Sequence, residues 1–599
     1  MQRDDVRKIV KEFKGRRLTR RQAVTRMAEL GLSLSAIWTV LDRATALPAR
    51  AAAAPGRGTQ GTLKLLYWQA PTIVNLHLAN GTKDQHASRI VMEPLLTADT
   101  AGNLAPVLAA EVPTLANGGV AKDGRSVTYK LKQGVKWADG RPFTADDVVF
   151  TYQYVINKQT AATTYGTYTD IAKVEPLNAD TVRVTFKNPT PFWYRAFVGA
   201  NGAIVPRHAL DAYIGSNSRN APYNLKSFGT GPYMVDTFRP GDLVVYKVNP
   251  YYRDPNKPAF SEVQMKGGGD AVSAARAVFE TGEYDYAWNL QVEWPVLEHM
   301  IAGGKGVLLT ESGGGVECLY INQTDPNKEV EGQRSSIKTK HPFLSDLKVR
   351  QALSLAVDRQ TMATQLYGQA GDPSPNLLTT PTRYYSKNTK MTTDLNRANS
   401  LLDEAGWKRG PDGAREKNGV KMEVAYVTSV NTLRQKEQQI VKSGWDQLGA
   451  KVTLQSVDAG VFFSSSPGNP DTIAHFYRDI QMFTDDFTLA PTSYMRQWYS
   501  GDPGRDIAQK ENNWSGDNLV RWQNAEFNKL FDEGIKELDP QKNAEIWMKA
   551  NDIAVEQVAG IPLINRKSVS SRAKALDTGK NMTAFDAQTW NIADWKRLG

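Results

Sequence analysis

Cysteine is almost absent from this sequence, with Cys318 the single example in 599 residues. No disulfide within the chain and no cysteine-based zinc site can form, because each requires at least two thiols. Cys318 lies in residues 316–321, an alternating run typical of a strand, which predicts a buried and unreactive thiol. Stability must therefore come from hydrophobic cores, and a chain of this length is expected to form two or three domains.

Histidine is also scarce, and the six residues are scattered along the chain. None lies in an H-E-x-x-H metal motif or in a sequence that resembles a triad with a nucleophile elbow, so the commonest hydrolase sites are excluded. We predict no cofactor, no metal site and no catalytic residue.

Negative charge is in deficit, with 63 Asp and Glu against 73 Lys and Arg. Residues 1–54 hold 12 basic and 5 acidic residues, and the rest of the chain has a net charge of only +3. The rest also has no long basic tract, so binding of nucleic acid is not expected.

Residues 1–54 have no hydrophobic run that is long enough to span a bilayer. The apolar segment at residues 30–41 is about a dozen residues long, whereas a membrane span needs roughly 20. Basic residues precede it and small residues follow it, which predicts an export signal cleaved within residues 46–55. An amphipathic helix of a cytosolic protein is the alternative. No cysteine lies near the cleavage region, so we expect a free periplasmic protein without a lipid anchor.

The export route depends on the residues before the apolar segment. Arg20 and Arg21 resemble the pair of a twin-arginine signal, which a receptor recognises on folded cargo. Ala23 and Val24 stand where that motif usually has bulkier residues. Both the twin-arginine and the Sec translocase therefore stay open as partners in export.

Residues 124–152 are the most informative stretch. Residues 126–131 alternate polar and apolar side chains, which predicts a half-buried strand, and residues 135–137 resume the pattern and predict a second strand. Residues 139–140, Asp-Gly, are typical of a tight turn, and Thr144 is placed to cap a helix with acidic residues in its first turn. Nothing in this stretch is a nucleophile or a metal ligand, so we interpret it as scaffold.

The order G-x-x-x-T-Y-x-L-x-x-G-V-x-W-x-D-G-x-P-F-x-A-x-D-V-V-F in this stretch resembles the signature of the dipeptide/oligopeptide-binding family of bacterial ABC importers, solute-binding family 5. Residues 229–233 (G-T-G-P-Y), 249–252 (N-P-Y-Y) and 346–359 (D-x-x-V-R-x-A-x-x-x-A-x-D-R) are similar to further segments of that family. The resemblance extends, with gaps, over residues 62–570.

The resemblance implies an α/β protein of the two-lobed periplasmic binding type II (cluster C), with mixed sheets flanked by helices. The chain would cross between the lobes near residues 312 and 565 and close there like a hinge. The expected division is the signal 1–54, lobe I 55–98, a subdomain inserted into lobe I 99–225, lobe I again 226–312, lobe II 313–564 and a return to lobe I 565–599.

The resemblance also implies a function. A monomer would bind an oligopeptide, or a peptide-like or opine-like solute, between its lobes, and would deliver it to ABC permease subunits in the inner membrane with their cytoplasmic ATPase. Two alternatives stay open. One is an exported hydrolase that uses paired carboxylates such as Asp485 and Asp486, and the other is a sensor of the same fold that docks on a membrane receptor.

The family implies where a solute would bind. Its members commonly place an aspartate of the second lobe against a ligand amine, and residues 480–491 correspond to that region. An apolar strand there leads through Phe483 to Asp485 and Asp486, which suits carboxylates presented at a strand end. A loop acid that caps the next helix is the alternative. The family's glycine-containing aromatic turn is missing, which weakens the expectation of an ordinary peptide.

The other candidates lie near the ends of predicted strands, where they would stack on a solute or form hydrogen bonds with it: Trp68, Trp288, Asn289, Tyr320, Asn322 and Arg434. Burial in the core is the alternative for the aromatic residues. Arg434 would meet a carboxylate, and a surface position at a helix end is its alternative.

Overall fold

The computed structural model describes residues 9, 12, 18, 20–30, 56–79, 81–99, 101–463, 468–485, 488–579 and 585–598. Most of the predicted export signal and the candidate Asp486 lie outside these residues. No helix in the described part of the chain is both long and apolar enough to cross a membrane.

The strands of the described residues are numbered in chain order. They are β1 Thr62–Tyr67, β2 Leu96–Ala98, β3 Leu104–Pro106, β4 Ser126–Lys130, β5 Ile171–Asn178, β6 Thr181–Phe186, β7 Tyr233–Arg239, β8 Leu243–Val248, β9 Glu262–Gly267, β10 Tyr286–Ala287, β11 Gly306–Ile321, β12 Gly371–Pro373, β13 Lys408–Arg409, β14 Arg415–Lys417, β15 Val420–Lys421, β16 Glu423–Ser429, β17 Lys451–Val457, β18 Ile480–Asp485, β19 Gly560–Ala573, β20 Leu576–Asp577 and β21 Lys596–Arg597.

The α-helices of the described residues are numbered in the same way. They are α1 Arg20–Glu29, α2 Thr82–Arg89, α3 Ala145–Ile156, α4 Tyr165–Tyr168, α5 Arg207–Leu210, α6 Ala271–Phe279, α7 Trp294–Ala302, α8 Leu347–Leu355, α9 Arg359–Met362, α10 Leu395–Glu404, α11 Thr432–Leu448, α12 Ala459–Phe462, α13 Thr492–Met495, α14 Pro503–Asp506, α15 Ala525–Gly534 and α16 Pro540–Glu556. A π-helical turn, Ala363–Tyr367, follows α9.

One mixed sheet runs through the described structure in the order β17-β16-β18-β11-β19-β10-β1-β9-β8-β7, with β12 also paired to β19. We call the half with β1 and β7–β10 the first lobe and the half with β16–β18 the second lobe. The strands β11 and β19, 16 and 14 residues long, pair antiparallel and join the two halves. The lobes are therefore continuous through two long strands.

The register of β11 against β19 shifts between Ser312 and Gly315, close to the predicted first crossing. Gly315 has φ +117°, and a Cβ there would lie 2.3 Å from the carbonyl oxygen of Asp485. Only glycine avoids both the backbone strain and this clash. The shift in register between β11 and β19 thus lies at a residue without a side chain.

The stretch at residues 124–152 forms the predicted strand β4 and the predicted helix α3. Thr144 and Asp147 make a reciprocal capping box at the start of α3. The indole of Trp137 also donates to Asp147 Oδ2 at 3.2 Å, which fixes the turn before the helix. The second strand, expected at residues 135–137, is wrong, because only an isolated bridge from Lys136 to Pro142 forms there.

In the second lobe, β16, α11 and β17 form a βαβ unit with a parallel strand pair. The guanidinium of Arg350 donates to the backbone carbonyl oxygens of Leu344, Gln557 and Val558. This buried arginine therefore holds α8 against the end of α16.

Candidate functional site

A cavity of about 860 Å³ lies between the two lobes, beside β19. Small-molecule sites are usually clefts of about 300–1,000 Å³, so its size suits a small solute. Trp288 and Asn289 line it from the first lobe, Arg434 lines it from the second, and Arg566 lines it from β19.

The wall of the first lobe begins where β10 ends. Trp288 stacks on Tyr67, with ring centroids 5.1 Å apart, so its position is fixed by the core behind it. Asn289 follows with φ +57°, a left-handed conformation that asparagine tolerates and that often marks functional sites. Trp68 donates from its indole nitrogen to the backbone oxygen of Asn289 at 2.9 Å. Trp68 is not among the lining residues, and it supports this loop from behind.

His86 lies beside Trp288 on the same wall and is buried. The backbone N–H of Gln588 donates to His86 Nε2 at 3.3 Å, and Nδ1 lies 3.1 Å from the Tyr67 hydroxyl. Burial lowers the pKa of His86 to about 3, so the ring is neutral at physiological pH. We interpret His86 as a support for the wall and not as an acid or base.

Gln588 lines the cavity with a fixed amide. The hydroxyls of Tyr286 and Ser570 donate to its Oε1 at 2.5 Å and 2.7 Å. Because the oxygen is occupied, the amide nitrogen is the group that Gln588 offers to a solute. It would donate to a carbonyl or carboxylate oxygen.

The opposite wall holds two arginines that share one buried carboxylate, Glu317 of β11. Arg434 Nε donates to Glu317 Oε1 at 2.9 Å, and Arg566 Nη1 donates to Oε2 at 3.2 Å. The hydroxyl of Thr484 also donates to Oε2. The side chain of Glu317 is fully buried, whereas 13% of Arg434 and 18% of Arg566 remain exposed. The two guanidiniums are therefore anchored from behind and reach the cavity.

Burial alone would raise the pKa of Glu317, but the charges of Arg434 and Arg566 outweigh it and hold the pKa below its ordinary value of 4.5. Glu317 is thus ionised at neutral pH.

Positive charge dominates the lining formed by the described residues. The only acid among them is Asp586, whose side chain is fully buried and paired with Arg89 at 3.0 Å. Lys83, Arg195 and Lys567 pair with the acids Asp84, Asp170 and Asp372, at 2.6, 2.7 and 2.8 Å. Arg434 and Arg566 share Glu317. The basic residues that line the cavity are Lys83, Arg195, Arg434, Arg566 and Lys567.

The π-helical turn Ala363–Tyr367 brings Leu366 and Tyr367 to the cavity. Such turns are rare and are frequently found at functional sites. The turn ends at Gly368, where a Cβ would lie 2.1 Å from the ring of Trp294 in the first lobe. The two lobes are thus in contact at this edge of the cavity.

Several predicted site residues lie away from the cavity wall. Tyr320 and Phe483 are buried and stack on each other, with ring centroids 4.0 Å apart. Asn322 is fully buried and donates to the Ser335 hydroxyl and to the backbone oxygen of Phe476, both at 2.9 Å. Their hydrogen bonds and ring contacts are made inside the second lobe.

The predicted acidic pair follows a strand whose end reaches the cavity. Thr484 of β18 and Thr488, beyond the pair, both line it. Asp485, between them, accepts a hydrogen bond from Gln497 Nε2 at 2.5 Å and is not among the described lining residues. Asp486 lies outside the described residues. Of the predicted residues, the structure brings Trp288, Asn289 and Arg434 together.

Sequence reasoning missed Glu317, Arg566 and Gln588. Glu317 carried a signal, because an acid within the strand-like run 316–321, where the other residues are apolar or aromatic, requires a partner if the strand is buried. Arg566 and Gln588 carried none, since their roles depend on long-range pairing with β11 and β10. The described residues contain no group of three or more His, Cys, Asp or Glu that could hold a metal ion.

Comparison with known proteins agrees with this architecture. Residues 104–506 match the bacterial extracellular solute-binding proteins, family 5 (middle region). The chain belongs to this family. Its members are non-catalytic solute-binding components of ABC importers, so the chain is not an enzyme.

Three similar proteins can be compared with this chain in detail. The glutathione-binding protein GsiB of Salmonella typhimurium is 25% identical over 471 residues, which cover 78% of this chain and 81% of GsiB. NikZ from Campylobacter jejuni, solved with Ni(L-His), gives a TM-score of 0.70 at 23% identity, with 90% of this chain and 99% of NikZ covered. The oligopeptide-binding protein AppA from Bacillus subtilis, solved with a nonapeptide, gives a TM-score of 0.69 at 22% identity, with 91% of this chain and 100% of AppA covered. The two structures support the two-lobed cluster C fold.

Proposed function

We propose that this family 5 protein binds a peptide or a peptide-like or opine-like solute in the cavity between its lobes. The observation that carries the proposal is the pair Arg434 and Arg566 at one wall, anchored by Glu317 and reaching the cavity. Paired guanidiniums suit a carboxylate, which they bind by charge-assisted hydrogen bonds. A peptide with a free C-terminus carries at least one carboxylate, and so does an opine built on an amino acid.

The opposite wall suits the remainder of such a solute. Trp288 offers an aromatic surface, Gln588 offers an amide nitrogen to a peptide carbonyl oxygen, and the amide of Asn289 can recognise carbonyl and N–H groups. The described lining also includes Gln69, Gln85, Asn201 and Gln291. Amide-rich walls of this kind match a polar, neutral backbone better than an apolar ligand. The names of GsiB and AppA, which bind glutathione and oligopeptides, support the same class of solute.

Delivery to a membrane permease completes the proposed function. We infer export by the twin-arginine or Sec translocase, with Arg20 and Arg21 as the signal pair, followed by action as a monomer in the periplasm. Closure of the lobes about β11 and β19 would present the solute to the ABC permease subunits and their ATPase. The boundaries at residues 98, 225, 312 and 564 are part of this proposal, and the shift in register beside residue 312 supports one of them.

A panel of solutes tests the proposed class by thermal unfolding and isothermal titration calorimetry. Tri-alanine and reduced glutathione should raise the melting temperature and bind with one site per chain, whereas the neutral trisaccharide maltotriose should do neither. Binding of maltotriose with no response to either peptide would contradict the proposal.

The acidic pair gives a prediction about the other end of the solute. If Asp485 or Asp486 meets an amine, then Asp485→Asn or Asp486→Asn should weaken the binding of tri-alanine at least tenfold, about 1.4 kcal/mol, without unfolding the protein. Titration calorimetry measures this effect.

Binding of N-acetyl-tri-alanine, which has no amine, should be the same in both variants as in the native protein. Asp471→Asn is the matched control, because Asp471 is a 46% exposed acid of the second lobe that pairs with Arg478. Unchanged tri-alanine affinity in both variants would remove this loop from the site.

A further inference from the structure

A second buried carboxyl group lies next to the arginine pair. Glu437 of α11 is fully buried and lies three residues after Arg434, on the same face of the helix. Two acids, Glu317 and Glu437, thus flank the guanidiniums that reach the cavity. The proposed function uses Glu317 as their anchor and assigns no role to Glu437.

The surroundings of Glu437 suit a neutral acid. The Tyr367 hydroxyl donates to Glu437 Oε1 at 2.6 Å, and among the described residues no group donates to its buried Oε2. An ionised carboxylate so deeply buried would need more donors than one tyrosine supplies. The charged and titratable groups that face it from the packed elements are Glu317 of β11, Tyr367 of the π-helical turn, Tyr426 of β16, Arg566 of β19 and Arg434 of its own helix.

Burial and the negative charge of Glu317 raise the pKa of Glu437 to about 8, which agrees with this geometry. The group is therefore mainly protonated at neutral pH and ionises in mildly alkaline solution.

We propose that Glu437 is a positioning residue whose neutral form is required for an anionic group of the solute to bind at Arg434 and Arg566. This inference rests on the proposed function, because it assumes that a solute carboxylate enters at these two arginines. Ionisation of Glu437 adds a negative charge to the cluster. That charge attracts the guanidiniums toward the protein interior and repels a carboxylate in the cavity.

The coupling is reciprocal. A carboxylate bound at the arginines opposes the ionisation of Glu437 and raises its pKa further. Where Glu437 is ionised in the free protein, binding of the solute takes up one proton. Affinity should therefore be constant below the pKa of Glu437 in the free protein and should fall as the pH rises above it.

Titration calorimetry of tri-alanine between pH 6.5 and pH 9.5 tests the proposal in the native protein and in Glu437→Gln. Glutamine has the shape of the neutral acid and keeps an oxygen for the Tyr367 hydroxyl. The amine of the peptide titrates in the same range, so the ratio of the two affinities is the quantity to follow. Linkage to one proton predicts that the affinity of the native protein for tri-alanine falls about tenfold, relative to that of Glu437→Gln, between pH 7 and pH 9.

Asp446→Asn is the control, because Asp446 is an exposed acid of the same helix that pairs with Lys442. The affinity of Asp446→Asn for tri-alanine should equal that of the native protein at every pH. A ratio of native to Glu437→Gln affinity that stays within twofold across the range would overturn the proposal.

The stability of the solute-free protein gives an independent readout. A carboxyl group with a raised pKa binds its proton in the folded state but not in the unfolded state between pH 4.5 and about 8, so stability falls with rising pH in this window. Glu437→Gln removes that loss. Its melting temperature relative to the native protein should rise from pH 5 to pH 8.5.

The two readouts separate the possible failures. If the native protein binds neither tri-alanine nor reduced glutathione at pH 6.5, the proposed solute class is wrong, and the melting curves still decide whether Glu437 is neutral. A difference in melting temperature that does not change with pH would overturn the role of Glu437, whatever the solute is.

Discussion

Replacing Glu317 with glutamine is expected to lower the free energy of unfolding by about 2–4 kcal/mol at pH 7. The change leaves Arg434 and Arg566 without the carboxylate that both contact. Loss of one partner from a fully buried ion pair costs about 3–5 kcal/mol. We expect a somewhat smaller loss of stability here, because both arginines partly face the cavity. Denaturant unfolding followed by tryptophan fluorescence measures the difference.

Glu311→Gln is the matched control for Glu317→Gln. Glu311 lies on the same strand, only half-buried, and forms none of these contacts, so its replacement should change stability by less than about 0.5 kcal/mol.

The pH dependence adds a second check on Glu317. Because the pKa of Glu317 is lowered in the folded state, the stability that the ionised Glu317 contributes is complete above pH 4.5 and is lost as the pH falls below it. The difference in the free energy of unfolding between the native protein and Glu317→Gln should therefore disappear at acidic pH. Equal stability of the two proteins at pH 7 would show that Glu317 is not the anchor of the arginine pair.

Replacing Arg434 with alanine is expected to weaken the binding of tri-alanine roughly ten- to a hundredfold. Hydrogen bonds to charged groups contribute about 1.5–3 kcal/mol, and the variant removes one guanidinium from the pair that faces the cavity. The loss should be confined to solutes with a free carboxylate. Titration with tri-alanine and with its C-terminal amide, in both proteins, separates the carboxylate from the rest of the peptide.

Arg397→Ala is the control for Arg434→Ala. Arg397 is a 51% exposed arginine of the second lobe that pairs with Glu404, and its loss should leave both affinities unchanged. Lysine at position 434 should restore only part of the affinity, because an ammonium cannot form the paired hydrogen bonds of a guanidinium. If Arg434→Ala bound the two peptides as the native protein does, the carboxylate would have to lie elsewhere in the cavity.

Much of the fold could be predicted from sequence because local patterns determine it. The capped helix α3 and the βαβ unit β16-α11-β17 both follow from short-range periodicity and capping residues. The strand expected at residues 135–137 did not form, because a turn that bridges Lys136 and Pro142 takes its place. The strand β19 is also longer than its sequence indicates. Only its first residues form an apolar run, and its second half is polar where it passes the cavity.

The site was less accessible from sequence because its residues meet through long-range strand pairing. Arg434 and Trp288 were found because they follow predicted strands. Glu317 and Arg566 are 249 positions apart and come together only where β11 and β19 cross between the lobes. Tyr320 was wrongly expected at the site. The sequence around an aromatic residue at a strand end is the same whether the ring faces a cleft or, as Tyr320 does here, stacks in the core.

The proposed function requires that the chain bind a carboxylate-bearing solute between its lobes and leave it chemically unchanged. Native mass spectrometry of the protein, purified without unfolding and then incubated with tri-alanine or reduced glutathione, is the decisive measurement. One solute per chain is expected, released at its original mass when the protein is unfolded, and much less complex is expected when the C-terminal amide of tri-alanine is used. A solute whose mass changes during incubation, or a protein that binds the amide as well as the free acid, would contradict the proposed function.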